Sequence, residues 1–128
     1  MGSIHPPQYA VLIVEDEPLL RMDAMDLAED VGLRAYGAAN ADEAISLLEQ
    51  NNDIRILFTD IQMKGSIDGL KLAHAVRKRW PPIQILVTSG VAKVTTDQLP
   101  ENGLFFTKPY PPQLLMDTMR RIAARIIS

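Results

Sequence analysis

Three carboxylates, a hydroxyl and an ammonium stand at the ends of apolar runs in this 128-residue sequence. Glu15 and Asp16 follow YAVLIV at residues 9–14, and Asp60 closes IRILFTD; Ser89 follows QILVT at residues 84–88, and Lys108 follows LFFT. A run with no polar side reads as a strand buried on both faces of a parallel sheet, and a charge at its end lies at the sheet's rim. In open α/β sheets, chemistry collects in the crevice beyond the carboxyl ends of the strands, so all five groups are expected in one crevice. Two like charges ~4 Å apart repel by about 4 kcal/mol at an effective dielectric near 20, so three carboxylates there need a cation or protons. Oxygen donors without His or Cys favour a hard divalent ion, and a few carboxylates with retained waters suit Mg²⁺ better than a Ca²⁺ cage. A carboxylate facing such an ion is placed to attack phosphorus and form an aspartyl phosphate, while the metal and Lys108 neutralise the phosphoryl oxygens. Asp60 is the best-placed nucleophile. A hydroxyl at Ser89 can then donate to the phosphoryl group.

The elements that must carry these groups follow from periodicity. After residues 9–14, Pro18 suits the first turn of a helix with Leu20, Ala24, Leu27, Ala28 and Val31 on one side, ended by Gly32. Arg34–Ala38 reads as a second strand, and Asn40 with Glu43 resembles a capping box opening a helix over Ala41–Gln50. The third strand, Ile54–Asp60, leads through a loop with two glycines to a helix over residues 70–80, with Leu72, Ala73, Val76 and Trp80 on its apolar side. Pro81 and Pro82 stop it. Residues 84–88 and Leu104–Thr107 are the last two strands. The segment 91–103 between them has room for little more than one or two helical turns. Pro111 and Pro112 open a final helix that buries Leu115, Met119, Ile122 and Ile126. Five alternations of strand and helix with right-handed crossovers give an α/β fold, a parallel five-stranded sheet covered on both faces.

Composition narrows the remaining choices. The length is that of one domain, with residues 1–8 as a polar, Pro-containing flexible lead-in and 9–128 as the folded unit. A net charge of -3 argues against a nucleic-acid surface, and the absence of cysteine removes disulfides, thiolate catalysis and thiolate zinc sites. No apolar stretch approaches the ~20 residues needed to span a bilayer, and residues 1–8 show no charged start followed by a long apolar run. A cytoplasmic protein that meets neither nucleic acid nor membrane is expected. His5 and His74 have no partner motif, and Trp80 and the methionines read as packing.

The ordered set VEDE at residues 14–17, TDIQM at 59–63, DG at 68–69, SG at 89–90 and KPY at 108–110 resembles the receiver domain of two-component response regulators, of the stand-alone, chemotaxis-regulator-like type. The likeness runs from Tyr9 through essentially the whole chain. It implies the flavodoxin-like doubly wound sheet with strand order 2-1-3-4-5. It further implies that Asp60 accepts a phosphoryl group from a phosphohistidine on a sensor histidine kinase or histidine phosphotransfer protein, and that a downstream protein reads the result. By the same resemblance Asp16 and Asp60 bind Mg²⁺ directly, Glu15 binds it through water, and the backbone carbonyl of Gln62 completes the set. Ser89, followed by a small Gly as the family pattern asks, matches the switch hydroxyl better than Thr88, and Phe105 matches the switch aromatic. The Lys108–Pro109 peptide is implied to be cis, aiming the ammonium into the site. Such a domain is a phosphoacceptor that assists its own phosphotransfer and dephosphorylation, not an enzyme in the usual sense.

Two features depart from the family. Lys64 stands where relatives often carry Pro in a loop one residue longer than usual, and the fourth helix is shortened to what residues 91–103 can hold. Two rivals come from other classes. A Mg²⁺-dependent phosphatase with an aspartyl nucleophile would want a general acid two positions after Asp60, where Gln62 stands. A receiver-like interaction module that is never phosphorylated would not need the five polar groups.

Overall fold

The computed structural model describes residues 8–63, 68–90 and 94–127. Five strands form one parallel sheet: β1 (Ala10–Val14), β2 (Arg34–Ala38), β3 (Ile54–Asp60), β4 (Gln84–Ser89) and β5 (Leu104–Thr107). Their spatial order is β2-β1-β3-β4-β5, the flavodoxin-like doubly wound arrangement expected from the sequence. The crossovers carry α1 (Pro18–Asp30), α2 (Ala41–Gln50) and α3 (Gly69–Arg79), and α4 (Pro112–Ile127) follows β5.

Alternation along the strands separates two cores. Leu12, Val14, Leu57, Ile85 and Val87 face α2 and α3, where Ala44, Leu48, Leu72, Ala73 and Val76 meet them. Val11, Ile13, Ile56, Phe58 and Leu86 face the other way, onto Ala24 and Ala28 of α1 and Leu115, Met119 and Ile122 of α4. Neighbouring residues therefore bury to opposite sides, which is why these strands show no polar face in sequence. The inner three strands, β1, β3 and β4, are almost fully buried and fix the height of the rim on which the polar groups stand.

Local chemistry sets the element ends. Pro18 occupies the first turn of α1, and Gly32, with φ +90°, turns the chain out of it. Asn40 Oδ1 accepts from the Glu43 amide at 2.9 Å, while the Glu43 carboxylate accepts from the amide of Ala39 at 2.8 Å. The reciprocal arm of the expected capping box thus reaches one residue further back. Asp68 Oδ1 caps α3 by accepting from the Lys71 amide at 2.9 Å.

Several boundaries shift from the sequence reading. β1 starts at Ala10 instead of Tyr9, α3 covers Gly69–Arg79 with Trp80 as its cap, and β4 continues through Ser89. Leu20, assigned to the buried side of α1, is 43% exposed, because the first turn of α1 projects past the end of the sheet it packs on. The shortened segment before β5 holds, among the described residues, a single 3₁₀ turn at Thr96–Gln98. It is tied to α3 by a 2.7 Å hydrogen bond between His74 Nε2 and the Gln98 carbonyl. Residues 1–7 of the expected lead-in and the loop around Lys64 lie outside the described residues. No described helix is long and apolar enough to cross a membrane.

Candidate functional site

β1 and β3 are neighbours, so their carboxyl ends bring Glu15 and Asp60 together, and Lys108 reaches across β4 from the end of β5. Its Nζ lies 2.5 Å from Asp60 Oδ2 and 3.5 Å from Glu15 Oε2. The other Asp60 oxygen, Oδ1, accepts the Gln62 backbone amide at 3.1 Å. Both carboxylates are nearly covered, Asp60 at 5% and Glu15 at 6% exposure, so their charges interact through protein more than through water. The Lys108–Pro109 peptide is cis.

The electrostatics of the trio follow from this crowding. Burial, then the hydrogen bond and like charge of Asp60, push the Glu15 carboxyl from 4.5 up to about 7, against the opposing pull of Lys108 and the Glu17 amide. Burial works against the Lys108 ammonium, but its hydrogen bond to Asp60 and the negative charges of Asp60 and Glu15 outweigh it and raise its pKa above the usual lysine value. Without a cation, Glu15 therefore holds a proton in the folded protein at a pH where the unfolded chain has released it. The folded state then binds more protons, so stability is full below pH 4.5 and falls as pH rises towards about 7. Urea denaturation in EDTA across that window should show this decline, and Glu15→Gln should flatten it; an unchanged slope in the variant would remove Glu15 as its source.

Asp16 is half-buried and lines the outer depression with Glu15, Glu17, Asp60, Gln62, Asp68 and Lys108. Glu15, Asp16 and Asp60 thus share one depression, while among the described residues no three acidic side chains close into a metal cage of their own. Successive residues leaving a strand point different ways, so Glu15 turns in to Lys108 while Asp16 stands on the outer side.

A crevice at the carboxyl rim of this sheet, with a buried Asp paired to a Lys from the last strand, can be set against known proteins. The sequence profile of the response regulator receiver domain matches residues 11–120. The chain belongs to this family. It is 29% identical over 80% of its length to the phyllosphere-induced regulator PhyR of Methylorubrum extorquens, and 32% identical over 89% to the hydrogenase transcriptional regulatory protein HoxA of Cupriavidus necator. A sensor kinase, CckA of Brucella abortus, is 29% identical over 88% of the chain. The chain spans 39%, 24% and 12% of the lengths of these three relatives. Among solved structures, a response regulator receiver protein from Pseudomonas putida superposes with a TM-score of 0.80 at 26% identity, covering 89% of this chain and 97% of its own. A CheY-like receiver domain protein from Methanospirillum hungatei shares the fold at TM-score 0.80 and 18% identity, covering 93% and 97%.

In this receiver the remaining sequence-selected residues fall on the α2/α3 side of the rim. Ser89, 1% exposed, donates its hydroxyl to Gln62 Oε1 at 2.8 Å. Phe105 is half-buried against the same core, beside Val94 and Leu99. Thr88, its rival for the hydroxyl role, pairs in register with Asp60 and turns to the α1/α4 side, where its buried Oγ1 has no hydrogen-bond partner. The sequence reading attached no structural role to Gly69. Its amide donates to the Ile61 carbonyl at 3.1 Å, and an added Cβ would lie 1.8 Å from the Asp60 carbonyl oxygen. The DG dipeptide before an apolar helix was the signal available for it. The Arg21 guanidinium, which donates to the Glu15 carbonyl at 2.8 Å, had no sequence signal.

Proposed function

We propose that this receiver takes a phosphoryl group onto Asp60 from a phosphohistidine of a sensor histidine kinase or histidine phosphotransfer protein, and that the change is read by a downstream protein. The observation that supports this best is the buried Asp60 carboxylate in contact with the Lys108 ammonium beside a second, like-charged carboxylate. That is a group held ready for transfer of negative charge into a prepared cationic setting. In the step, the P–N bond to the donor imidazole breaks as a P–O bond to the Asp60 carboxylate forms. The match to both regulators and a sensor kinase fits a module that works in either setting.

The donor chemistry fits Mg²⁺. Asp16 and Asp60 would bind it directly, Glu15 through water, and the Gln62 carbonyl would supply a further oxygen. All are hard donors, and the upward shift of Glu15, caused first by burial and then by the hydrogen bond and like charge of Asp60, is one that a bound cation would oppose. When bound, the ion neutralises phosphoryl oxygens during transfer. Lys108 pairs with a phosphoryl oxygen in place of the Asp60 carboxylate. Ser89 turns its hydroxyl from Gln62 Oε1 to the phosphoryl group, and the Phe105 ring moves into the space this leaves. Each step exchanges one satisfied arrangement for another, as a two-position switch requires. The same groups assist loss of the phosphoryl group to water. No acid stands two positions after Asp60, where a phosphatase of this type would want one; Gln62 is there instead.

Intact mass after incubation with acetyl phosphate, with and without Mg²⁺, tests the reading: a metal-dependent gain of one phosphoryl group is expected. Lys108→Ala should retain Mg²⁺ binding, followed by calorimetry, while losing the amide chemical-shift changes at Ser89 and Phe105 on phosphorylation. Unaltered shifts in the variant would take Lys108 out of the mechanism.

A further inference from the structure

On the α1/α4 side of the sheet, sharing Glu15, Asp60 and Lys108 with the outer depression, lies a cavity of about 380 Å³. Its walls are apolar: Leu20, Ala24 and Leu27 of α1, Phe58 of β3, and Tyr110 and Pro112 leading into α4. A cavity of this size with a few polar groups set in apolar walls has the form of a small-molecule site.

Among the described residues, one buried polar group there is unsatisfied, and one exposed charge stands unpaired at the rim. Thr88, 3% exposed, lines the cavity, and its hydroxyl has no hydrogen-bond partner, a state that buried hydroxyls rarely keep. Asp23 stands at the rim, exposed, and forms no ion pair among the described residues. Lys108, Glu15 and Asp60 also border the cavity, but they answer one another. The uncompensated features are thus one hydroxyl on the inner wall and one negative charge at the mouth.

We propose that this cavity binds a small, mostly apolar molecule with a hydrogen-bonding group at its inner end and an ammonium at its outer end. The apolar body packs against Phe58 and Leu27, the inner group meets the Thr88 hydroxyl, and the ammonium meets Asp23 beside the Tyr110 ring. Because Lys108 and Asp60 form one border, such a ligand touches the phosphoacceptor pair from behind.

The test is a titration of the metal-free, unphosphorylated protein, followed by amide chemical shifts, with tyramine, phenethylamine and 4-ethylphenol as probes. Its result does not depend on Asp60 accepting a phosphoryl group. Saturable binding of tyramine is expected, about fivefold tighter than either analogue, with shifts confined to the cavity lining. Thr88→Val should erase the advantage of tyramine over phenethylamine and raise the melting temperature by about 3 °C, since it removes an unpaired buried hydroxyl. Asp23→Asn should erase the advantage over 4-ethylphenol. Leu27→Trp, or Leu20→Trp at the more exposed wall if that variant does not fold, should fill the cavity and abolish binding of all three. Shifts that do not saturate or that scatter over the surface, equal affinities for the three probes, or binding that survives in the filled variant would each overturn the proposal.

Discussion

Asp60→Asn is expected to reduce labelling by acetyl phosphate to background while leaving the protein folded. The amide keeps the shape of the side chain and can still accept the Gln62 amide that now bonds Oδ1, but it lacks the charge and nucleophilicity needed to attack phosphorus. Glu15, the other buried carboxylate, is the poorer acceptor. Glu15 lies at the longer distance from Lys108, 3.5 Å against 2.5 Å, and its carboxyl is partly protonated near neutral pH. The substitution also lifts the repulsion between Glu15 and residue 60, which offsets the weakened pairing of Lys108, so the melting temperature should move by only about 2 °C. Undiminished labelling in the variant, measured by intact mass, would show that the acceptor is elsewhere.

Gly69→Ala should be the most damaging small substitution near the site. The first residue of α3 rests directly on the end of β3, where an alanine Cβ would sit 1.8 Å from the Asp60 carbonyl oxygen, 2.6 Å from its carbonyl carbon and 2.9 Å from Thr59 Oγ1. Two of these are backbone atoms, which cannot swing aside as a flexible side chain would, so either α3 lifts or the end of β3 moves. A loss of about 3 kcal/mol, at the upper end of overpacking effects, is expected, lowering the melting temperature by roughly 10 °C. Phosphoryl acceptance should fall with it, because the carbonyl displaced belongs to the acceptor itself. A melting temperature within about 2 °C of the parent would show that helix and strand can part at no cost. Gly37→Ala is a useful contrast, since its nearest neighbour is the end of the flexible Met25 side chain at 2.7 Å.

The parts of this structure legible in the sequence were those set by burial and by chain order. Apolar runs ending on Glu15, Asp60, Ser89 and Lys108 announced inner strands of a parallel sheet, because such strands leave no room for polar side chains until the rim. That Lys108 and Asp60 share one crevice followed from both standing at strand ends; their direct ion pair did not. Contacts decided by side-chain direction were not legible. The bond from Ser89 to Gln62 depends on how a loop residue folds back over β4. That Asp16 stands outside while Glu15 turns inward depends on the direction in which the chain leaves β1. Thr88 and Ser89, neighbours on one strand, had to face opposite ways, but which of them faces α1 and α4 is fixed by the register of β4 against β3 and β5. Leu20 misled because helical periodicity marks a side of α1 without marking where the sheet beneath it stops.

The trio at the rim is gathered from distant parts of the chain: Lys108 is 48 residues from Asp60 and 93 from Glu15. The four strands β1, β3, β4 and β5 must be in place before the three meet, and the ammonium comes with the last of them in chain order. A nascent, nicked or half-assembled chain can own the acceptor and still lack the cation that steadies its charge. Loops of this length close late in folding, because their entropy must be spent before their contacts repay it. On the proposed reading, only a chain whose β5 has docked beside β4 sets an ammonium against the acceptor, so the reactive crevice exists only in the assembled sheet.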